Sequence, residues 1–361
     1  FFNGSIDNVR IFNKALSSSE VTTLYNEVYC VPTIVPTDYF EPVLYTGDSS
    51  TKPITSLNFA PDFTWIKERS GTDRHVLIDT IRGTNSQLSS QDSNAETTYS
   101  SNLVSFDTNG FTLGSASETN GSNETYVSWN WKAAATTTTI AANTVGNTIA
   151  SDVRANTDAG FSIVKWTGDL SLATIGHGLS ETCELIFLKN ASDAEDWEVL
   201  YDKTAPTYSI QLNSTSSGRF SNYFRSVNET TFGVGNYNRT NGSGDTMIAY
   251  CFHSVDGMSK IGSFNQISGN TSVVTGFRPA FLMMKRTDNT GNWMMFDNKR
   301  GDADLELDAN LSAAEVATTG YTMEFQSNGF VLTIAAGTYD VDYIFMAFAE
   351  EVFNPNGVTR N

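Results

Sequence analysis

Short apolar segments separated by polar turns recur along the chain. Runs such as 281–284 stand between stretches rich in Gly, Asn, Asp and Ser. Alternate positions are aromatic at Trp129 and Trp131, and again at Tyr250 and Phe252, which places these rings on one face of a strand. Brief runs of this kind with frequent turn residues are typical of antiparallel β-sandwiches rather than of helices. The pattern therefore predicts an all-β protein.

The same order of landmarks occurs three times, which divides most of the chain into similar modules. In each, a strand-ending lysine precedes an aspartate by 12 or 13 residues, and a Phe follows at a nearly constant interval. The first and third modules also share an Arg-Gly turn, at Arg82 and Arg300. We predict three tandem antiparallel β-sandwich modules of jelly-roll-like form, at 43–132, 159–256 and 257–353. The landmarks are Lys67, Asp79 and Phe111, then Lys189, Asp202 and Phe232, then Lys285, Asp297 and Phe330.

The segments beside the modules are predicted to be connectors. Proline punctuates 31–42, which indicates a stiff extended linker. Small and polar residues dominate the Ala/Thr-rich stretch 133–158. It has too few large side chains for a core of its own, so we expect a linker or an extended arm. The last residues, 354–361, are expected to be a tail.

The first thirty residues have a different pattern, a strand followed by a short helix. The strand reads G-S-I-D-N-V-R-I-F from Gly4. Ser17, with Glu20 three residues later, forms a helix N-cap, and Val21 begins an apolar stripe. This stretch resembles the last strand and closing helix of laminin-G-like, concanavalin-A-type jelly rolls. The resemblance implies that 1–30 is the C-terminal end of such a domain.

The first module carries the most specific motifs. They read P-D-F-T-W-I-K from Pro61, S-F-D-T-N-G-F-T-L from Ser105 and Y-V-S-W-N-W-K-A from Tyr126. The module resembles an uncharacterised β-rich repeat of marine bacteriophage structural proteins, which is often found beside laminin-G-like domains. The resemblance implies a virion fibre, spike or decoration protein, and it implies no catalytic or ligand-binding residues.

The charge of the chain excludes several classes of partner. Its 22 Lys and Arg against 40 Asp and Glu give a net charge of -18 and a pI near 4.5. Nucleic acids and anionic membranes are bound mainly through clustered Lys and Arg, so neither is an expected partner. No uninterrupted apolar run approaches the roughly 20 residues that a membrane helix needs, and no export leader is recognisable. Membrane insertion is therefore not expected.

The three cysteines, Cys30, Cys183 and Cys251, are spread over the chain without a CxxC motif or a Cys/His cluster. We expect buried free thiols, and neither a disulfide nor a zinc site. Reduced thiols indicate folding in a reducing cytoplasm, whereas this polar, aromatic-rich β composition is typical of proteins that work outside cells. A virion protein made in the host cytoplasm and displayed on the particle, as an extracellular surface appendage, meets both conditions.

Signatures of catalysis are weak in this sequence. Its three histidines stand in no Ser/His/Asp or HExxH context, and the motifs G-x-S-x-G, GxxxxGK[ST] and the EF-hand are absent. We therefore expect no enzyme and no bound cofactor. The histidines are His75, His177 and His253.

One segment nevertheless has the residues that glycoside hydrolysis uses. At 304–308 a strand would place three carboxylates on one face and two leucines on the other. Glycosidases need one carboxyl group as acid and another as nucleophile or base. Three interpretations stay open: catalytic residues Asp304, Glu306 and Asp308, a cation site that would take Ca²⁺, or a solvated strand face, which we favour.

The six tryptophans fit packing better than sugar binding, because most recur at equivalent positions of different modules. The polar loops 115–123 and 236–245, rich in Ser, Asn and Gly, are the expected contacts for a host glycan. The candidate contact residues are Ser115, Asn120, Asn123, Asn236, Asn241 and Asp245.

These features favour a bacteriophage virion structural protein, a fibre- or spike-type adhesin whose loops contact host-surface glycans. Multimeric display would turn many weak contacts into avidity. The expected partners are other virion proteins, a host-surface glycan and further copies of the chain, with a trimer expected from the fibre analogy. Two alternatives remain: a capsid or tube decoration protein without a receptor, and a glycan depolymerase that uses the carboxylates of 304–308.

Overall fold

In the described part of the chain, one pattern of nine strands occurs three times, and these strands form antiparallel β-sheets. The computed structural model describes residues 14–18, 21 and 34–350, apart from 268, 302 and 335–339. The prediction of an all-β sandwich fold is confirmed. The tail at 354–361, Cys30 and nearly all of the laminin-G-like end predicted at 1–30 lie outside the described residues.

Each repeat contributes nine equivalent strands, and repeat 2 has two more at its start. Repeat 1 contains β1 (Phe40–Thr46), β2 (Lys52–Ile54), β3 (Phe63–Glu68), β4 (Val76–Asp79), β5 (Ser86–Gln87), β6 (Thr97–Thr98), β7 (Leu103–Asp107), β8 (Gly110–Leu113) and β9 (Thr125–Trp131). Repeat 2 contains β10 (Thr138–Ile140), β11 (Ser151–Asn156), β12 (Phe161–Thr167), β13 (Ala173–Gly176), β14 (Leu185–Asn190), β15 (Glu198–Leu200), β16 (Tyr208–Gln211), β17 (Phe220–Ser221), β18 (Phe224–Val227), β19 (Thr231–Val234) and β20 (Thr246–Phe252). Repeat 3 contains β21 (Ser259–Ile267), β22 (Gly269–Val274), β23 (Pro279–Arg286), β24 (Trp293–Asp297), β25 (Leu305–Asp308), β26 (Val316–Ala317), β27 (Tyr321–Gln326), β28 (Gly329–Ile334) and β29 (Asp340–Ala349). Helical turns occur at Pro36–Asp38, at α1 (Ser117–Asn120) and at α2 (Asn238–Asn241).

Each repeat is a two-layer sandwich. In repeat 1 the large sheet has the order β1-β9-β3-β4 and the small sheet β2-β8-β7. The corresponding sheets are β10-β11-β12-β20-β14-β15-β16-β17 and β13-β19-β18 in repeat 2, and β21-β29-β23-β24-β25-β26 and β22-β28-β27 in repeat 3. The first of the nine equivalent strands thus pairs with the last, as β1 with β9, β12 with β20 and β21 with β29. The second equivalent strand lies in the opposite sheet, as in jelly-roll-like folds.

The Asn-Gly-Phe landmark of repeats 1 and 3 marks the turn into the eighth strand. Gly110 and Gly329 have φ angles of +148° and +153°. A Cβ atom at these positions would lie only 1.8 and 1.9 Å from the carbonyl oxygens of Ile54 and Val273. Glycine is therefore required at both turns.

The apolar side chains form one core inside each sandwich and a central core shared by all three repeats. Strand β20 shows how one strand serves both. Its Met247 and Ala249 point into the core of repeat 2, whereas Ile248 and Tyr250 point into the central core. Because both faces are buried, the strand is almost continuously apolar.

Most tryptophans lie in the central core, and Trp166 lies in the core of repeat 2. The expectation that these rings pack inside cores and between modules is therefore confirmed. Those in the central core are Trp65, Trp129, Trp131, Trp197 and Trp293.

Equivalent contacts link the repeats in a ring. Trp197 of repeat 2 donates Nε1 to a backbone oxygen of repeat 1 at 2.8 Å, and Trp293 of repeat 3 donates to one of repeat 2 at 2.9 Å. At the equivalent place in repeat 1, Nε2 of His75 lies 3.0 Å from the backbone oxygen of Asp308 in repeat 3. Each repeat thus contacts a different neighbour through the same position, and the arrangement has pseudo-threefold symmetry.

The structure corrects both predicted linkers. Within 133–158, β10 and β11 extend the large sheet of repeat 2, and β10, the edge strand, comes from the β-branched Thr-rich stretch. Within 31–42, Pro36–Asp38 forms a 3₁₀ turn, and Phe40 begins β1 with its ring in the central core. The modules are not independent domains joined by linkers, since Ile34–Val352 forms one compact unit.

Two further expectations concern cysteines and membranes. Cys183 and Cys251 are buried free thiols, as predicted. Within the part of the chain that the structure describes, no helix combines the length and the apolar character that crossing a bilayer requires.

Candidate functional site

The predicted catalytic segment is only partly a strand. Leu307 of β25 packs in the central core, and Glu306 and Asp308 on the opposite face are half-buried. Asp304 is exposed in the turn before β25 and does not join them. The expected face of three carboxylates is therefore a pair.

The Asp308 carboxyl group is affected by its burial and by the nearby charge of Glu306. Asn292 donates to Oδ2 of Asp308 at 3.0 Å, and the hydroxyl of Tyr321 donates to Glu306. Burial, and then the negative charge of Glu306, raises the pKa of Asp308 to about 8. Asp308 is thus mostly protonated at neutral pH, which makes it a potential proton donor.

A second acidic group lies in repeat 1. Glu68, Asp73 and Glu124 each place one carboxylate oxygen within 4.8 Å of the others. An all-oxygen donor set of this kind suits Ca²⁺ or Mg²⁺. Repeat 2 has an amide in place of one of these carboxylates, since Asn190 occupies the position of Glu68 and donates to Asp245 at 2.8 Å. The carboxylate oxygens of this group also accept hydrogen bonds from the protein, for example from the Tyr126 hydroxyl to Glu124 at 2.7 Å. We therefore do not assign a metal to this group.

The six predicted glycan-contact residues divide into two classes. Ser115, Asn123 and Asn236 are exposed, and Asp245 is half-buried. Asn120 and Asn241 are fully buried, which corrects the prediction for these two residues.

Both buried asparagines hold backbone in place. Asn120 donates to the carbonyl of Gly114 at 2.7 Å and accepts from the amide of Asp48 at 2.9 Å. Asn241 donates to the carbonyl of Ser171 at 2.9 Å and accepts from Nε1 of Trp166 at 3.2 Å. Their amide groups are satisfied inside the fold, so they do not contact a ligand.

The interface of repeats 1 and 2 contains a buried ion pair. Nε of Arg82 donates to Oδ2 of Asp79 at 2.6 Å, and their side chains are 2% and 0% exposed. The Tyr250 hydroxyl of repeat 2 donates to the same carboxylate at 2.8 Å and accepts from Arg82 at 3.0 Å. Glu96 pairs with Arg82 from the outside at 3.0 Å.

The interface of repeats 3 and 1 repeats this arrangement. Arg300 and Asp297 form a 2.6 Å ion pair, with neither side chain exposed. Nε1 of Trp129 from repeat 1 donates to Asp297 at 3.0 Å. Glu315 pairs with Arg300 at 3.1 Å and with Arg69 of repeat 1 at 2.8 Å.

The interface of repeats 2 and 3 is different. Asp202 occupies the equivalent position, but the third residue after it is Ala205 instead of arginine. The backbone amide and hydroxyl of Thr204 donate to Oδ1 of Asp202 at 2.9 and 2.6 Å. Met346 takes the place of Tyr250 and Trp129 in the central core, and its thioether is a poor partner for a carboxylate.

Two open clefts occupy equivalent places in the ring. The cleft between repeats 1 and 2 has a volume of about 500 Å³, and Arg82 and Glu96 line it. The cleft between repeats 2 and 3 is larger, about 720 Å³, and its lining includes Tyr201, Asp202 and Asn265. Glu306 and Asp308 line neither cleft.

Comparison with known proteins identifies a family. A family described as "Domain of unknown function (DUF7483)" matches residues 35–352, more than half of the chain.

The chain belongs to this family.

The DUF7483 match spans all three repeats, so the family domain corresponds to the whole pseudo-threefold unit and not to a single sandwich. No curated protein matches the chain. A solved structure described as "The Triple Jelly Roll Fold and Turret Assembly in an Archaeal Virus" aligns at 8% identity over 96% of this chain and 99% of that one. Its TM-score is 0.12, which is too low to carry an argument.

The sequence contains a signal for the interfaces of this DUF7483 domain that goes beyond the predicted Arg-Gly turns. Arg82 and Arg300 are also the partners of the aspartates three residues earlier. The spacing Asp-x-x-Arg occurs in repeats 1 and 3, whereas Asp202 is followed by Ala205. This difference marks the interface that lacks the ion pair.

Proposed function

We propose that this DUF7483 domain is a structural and adhesive module of a virion appendage, which contacts host-surface glycans. A binding role is favoured over a catalytic one because polar side chains such as Ser115, Asn123 and Asn236 lie exposed on a rigid all-β body. The net charge of -18 keeps such a particle soluble and disfavours nonspecific adhesion.

The observation that carries this proposal is the ring of repeats around one aromatic core. Phe40 of repeat 1, Phe252 of repeat 2 and Phe348 of repeat 3 all lie in that core. Phe40 and Trp131 each have ring centroids within 6 Å of Phe348. A body fixed in this way presents equivalent loops of different repeats at constant distances, which supports avidity from weak contacts.

Electron cryo-microscopy of the source particle tests this proposal. We expect the domain at a distal appendage, where receptor contact is sterically open. A regular lattice on a capsid or tube would contradict the adhesive role and support the decoration alternative. Light scattering of the purified chain tests the expected homotrimer separately, and a monomer at high concentration would contradict that expectation.

A glycan depolymerase is the second candidate, supported by one observation. The Glu306 and Asp308 carboxyl groups lie together, and the pKa of Asp308 is raised to about 8. It ranks second because Tyr321 and Asn292 bind these carboxyl groups, and neither carboxyl lines a described cleft. A depolymerase would release reducing ends from a cell-surface glycan, and Glu306→Gln would abolish that release.

A further inference from the structure

The interface of repeats 2 and 3 has no counterpart of the arginine that pairs with the aspartate at the other two. Arg82 and Arg300 occupy the space beside the equivalent aspartates. At the position of these arginines, three residues after Asp202, repeat 2 has Ala205, whose side chain is too short to occupy the same space. The cleft at this interface is about 720 Å³, against about 500 Å³ for the equivalent cleft that Arg82 lines, and its volume lies within the range of ligand-binding pockets.

One wall of the cleft comes from repeat 2. Tyr201 is half-buried and packs against the central core, which fixes its ring. Both hydrogen bonds that Asp202 accepts from Thr204 go to Oδ1, so Oδ2 takes no part in these two bonds. The exposed Arg219 adds guanidinium donors, and it lies 5.6 Å from the centre of the Tyr208 ring.

The other wall is the edge of the large sheet of repeat 3. In β21, Ser263 and Asn265 lie on the same face as Ile261, which packs against the central core. Nδ2 of Asn265 donates to Oδ1 of Asp342 at 3.0 Å and to Oδ1 of Asp340 at 2.7 Å. These bonds fix the polar groups of this wall before any ligand arrives, which lowers the entropic cost of binding.

The combination of groups identifies the class of ligand. Carboxylates and Oδ1 of Asn265 accept hydrogen bonds from hydroxyl groups, the guanidinium of Arg219 donates to them, and the tyrosine ring offers an apolar face with a polar tip. A ligand with many hydroxyl groups on a compact ring satisfies all of these groups. An anionic polysaccharide is disfavoured by the net charge of -18.

We propose that the cleft between repeats 2 and 3 binds a neutral oligosaccharide. This proposal rests on the glycan-binding function proposed above, and it names the site and the sugar class. It moves the main contact from the loops 115–123 and 236–245 to the interface that departs from the symmetry of the ring.

The equivalent cleft between repeats 1 and 2 provides a control within the same chain. Its charged side chains pair with one another, Arg82 with Glu96 at 3.0 Å and Lys165 with Asp152 at 3.7 Å. The cleft between repeats 2 and 3 also contains such a pair, Lys203 with Glu184 at 2.8 Å, but its Asp202 and Arg219 take part in no ion pair among the described residues. Groups that are already paired gain little from sugar hydroxyls. We therefore expect no oligosaccharide binding in the cleft between repeats 1 and 2.

Calorimetric titration of the full chain tests the proposal, with cellohexaose, maltohexaose, mannohexaose and chitohexaose as probes. We expect at least one to bind, and Asp202→Ala or Asn265→Ala to weaken that binding about tenfold or more. Asp152→Ala, in the other cleft, is the matched control. A triple variant with Ser115, Asn123 and Asn236 changed to Ala tests the loops. Thermal unfolding checks that every variant is folded.

The outcomes separate this proposal from the function on which it rests. Loss of binding only in the two cleft variants supports it. Binding that survives in both cleft variants, or that disappears in the loop variant, overturns the cleft assignment and leaves the glycan-binding function standing. Binding of acidic glycans alone on an array overturns the neutral class. If the unmodified chain binds no glycan at all, both proposals fail.

Discussion

Two kinds of interface hold the three repeats together, although the repeats share one fold. Where repeat 1 meets its neighbours, an aspartate and an arginine are buried as an ion pair, and a Tyr or Trp from the adjacent repeat donates to the carboxylate. Where repeats 2 and 3 meet, Asp202 is only half-buried, and a polar cleft lies beside it.

The comparison separates the contacts that specify the fold, the aspartate turn and the central core, from the ion pair that is present at only two interfaces. All three aspartates accept hydrogen bonds from the backbone amides that follow them, so the turn forms with or without the arginine. The apolar central core is common to all three interfaces. The ion pair is therefore not needed to build the ring, and the interface without it is free to hold a ligand site.

The largest expected effect comes from breaking a buried pair. Arg300→Met leaves the carboxylate of Asp297 buried without its cation, and we expect a loss of about 3–5 kcal/mol in the free energy of unfolding. Denaturant titration measures this loss. The control at the third interface is Arg219→Met, an exposed position next to the Tyr208 ring, where we expect a loss of no more than about 1 kcal/mol.

A second change tests the cause of that loss. Adding Asp297→Asn to Arg300→Met removes the uncompensated charge, so part of the stability should return. If the double variant is no more stable than the single variant, the loss comes from packing of the arginine side chain and not from an unpaired charge. In that case the difference between the two kinds of interface is not electrostatic.

The next effect comes from the aromatic donor. Tyr250→Phe removes a hydroxyl that bonds to both Asp79 and Arg82, and we expect a loss of about 2 kcal/mol because both partners are charged and buried. Tyr208→Phe is the control, since this tyrosine is 40% exposed. Equal effects of the two substitutions would contradict the special role of the Tyr250 hydroxyl.

The sequence was sufficient to predict the repeats and the sandwich class. Short apolar runs with regular landmarks reveal a repeated β-unit directly, because strand alternation places residues such as Trp129 and Trp131 on one face. The same alternation does not show which sheet covers that face. Ile248 and Met247 are equally apolar, yet one lies in the central core and the other in the core of repeat 2.

The candidate site was predicted less well, for a physical reason. Exposed and buried asparagines look alike in a polar loop, and only the fold decides whether an amide meets backbone or solvent. Asn123 is exposed, whereas Asn120, three residues earlier, bonds to backbone groups of two other segments. The change from arginine to Ala205 after Asp202 is visible in the sequence, but the cleft itself forms between two repeats, and no local pattern shows that they meet there.

A smaller effect, on pH dependence, comes from one buried lysine in each repeat. Burial lowers the pKa of Lys67, Lys189 and Lys285 to about 8. Lys189 donates to carbonyls of its own repeat, whereas Lys285 also donates across the open interface to the carbonyl of Thr215 at 3.0 Å. The interface of repeats 2 and 3 is therefore anchored by a lysine instead of an ion pair.

The sign of the pH effect follows from the lowered pKa. Between pH 8 and about 10.5 the unfolded chain binds more protons than the folded chain, so stability rises with pH in this window. Between pH 8 and 9.5 we expect the free energy of unfolding to rise by about 1 kcal/mol for each lysine, as measured by urea unfolding. Lys285→Met should reduce this slope as much as Lys189→Met does. An unchanged slope in either variant means that the lysine remains charged when buried.

The smallest effect on stability comes from restoring the missing arginine. Ala205→Arg places a guanidinium three residues after Asp202, as in the other two repeats, but this aspartate is only half-buried. Exposed ion pairs contribute little, so we expect a change within about 1 kcal/mol in thermal or denaturant unfolding. The larger consequence should be in binding, because the new side chain occupies the cleft and competes for Oδ2 of Asp202. Ala205→Met, of similar length without charge, separates steric filling from pairing. A gain of several kcal/mol in the free energy of unfolding of Ala205→Arg would mean that the interface of repeats 2 and 3 is as buried as the other two. The difference between the interfaces would then depend on this one side chain alone.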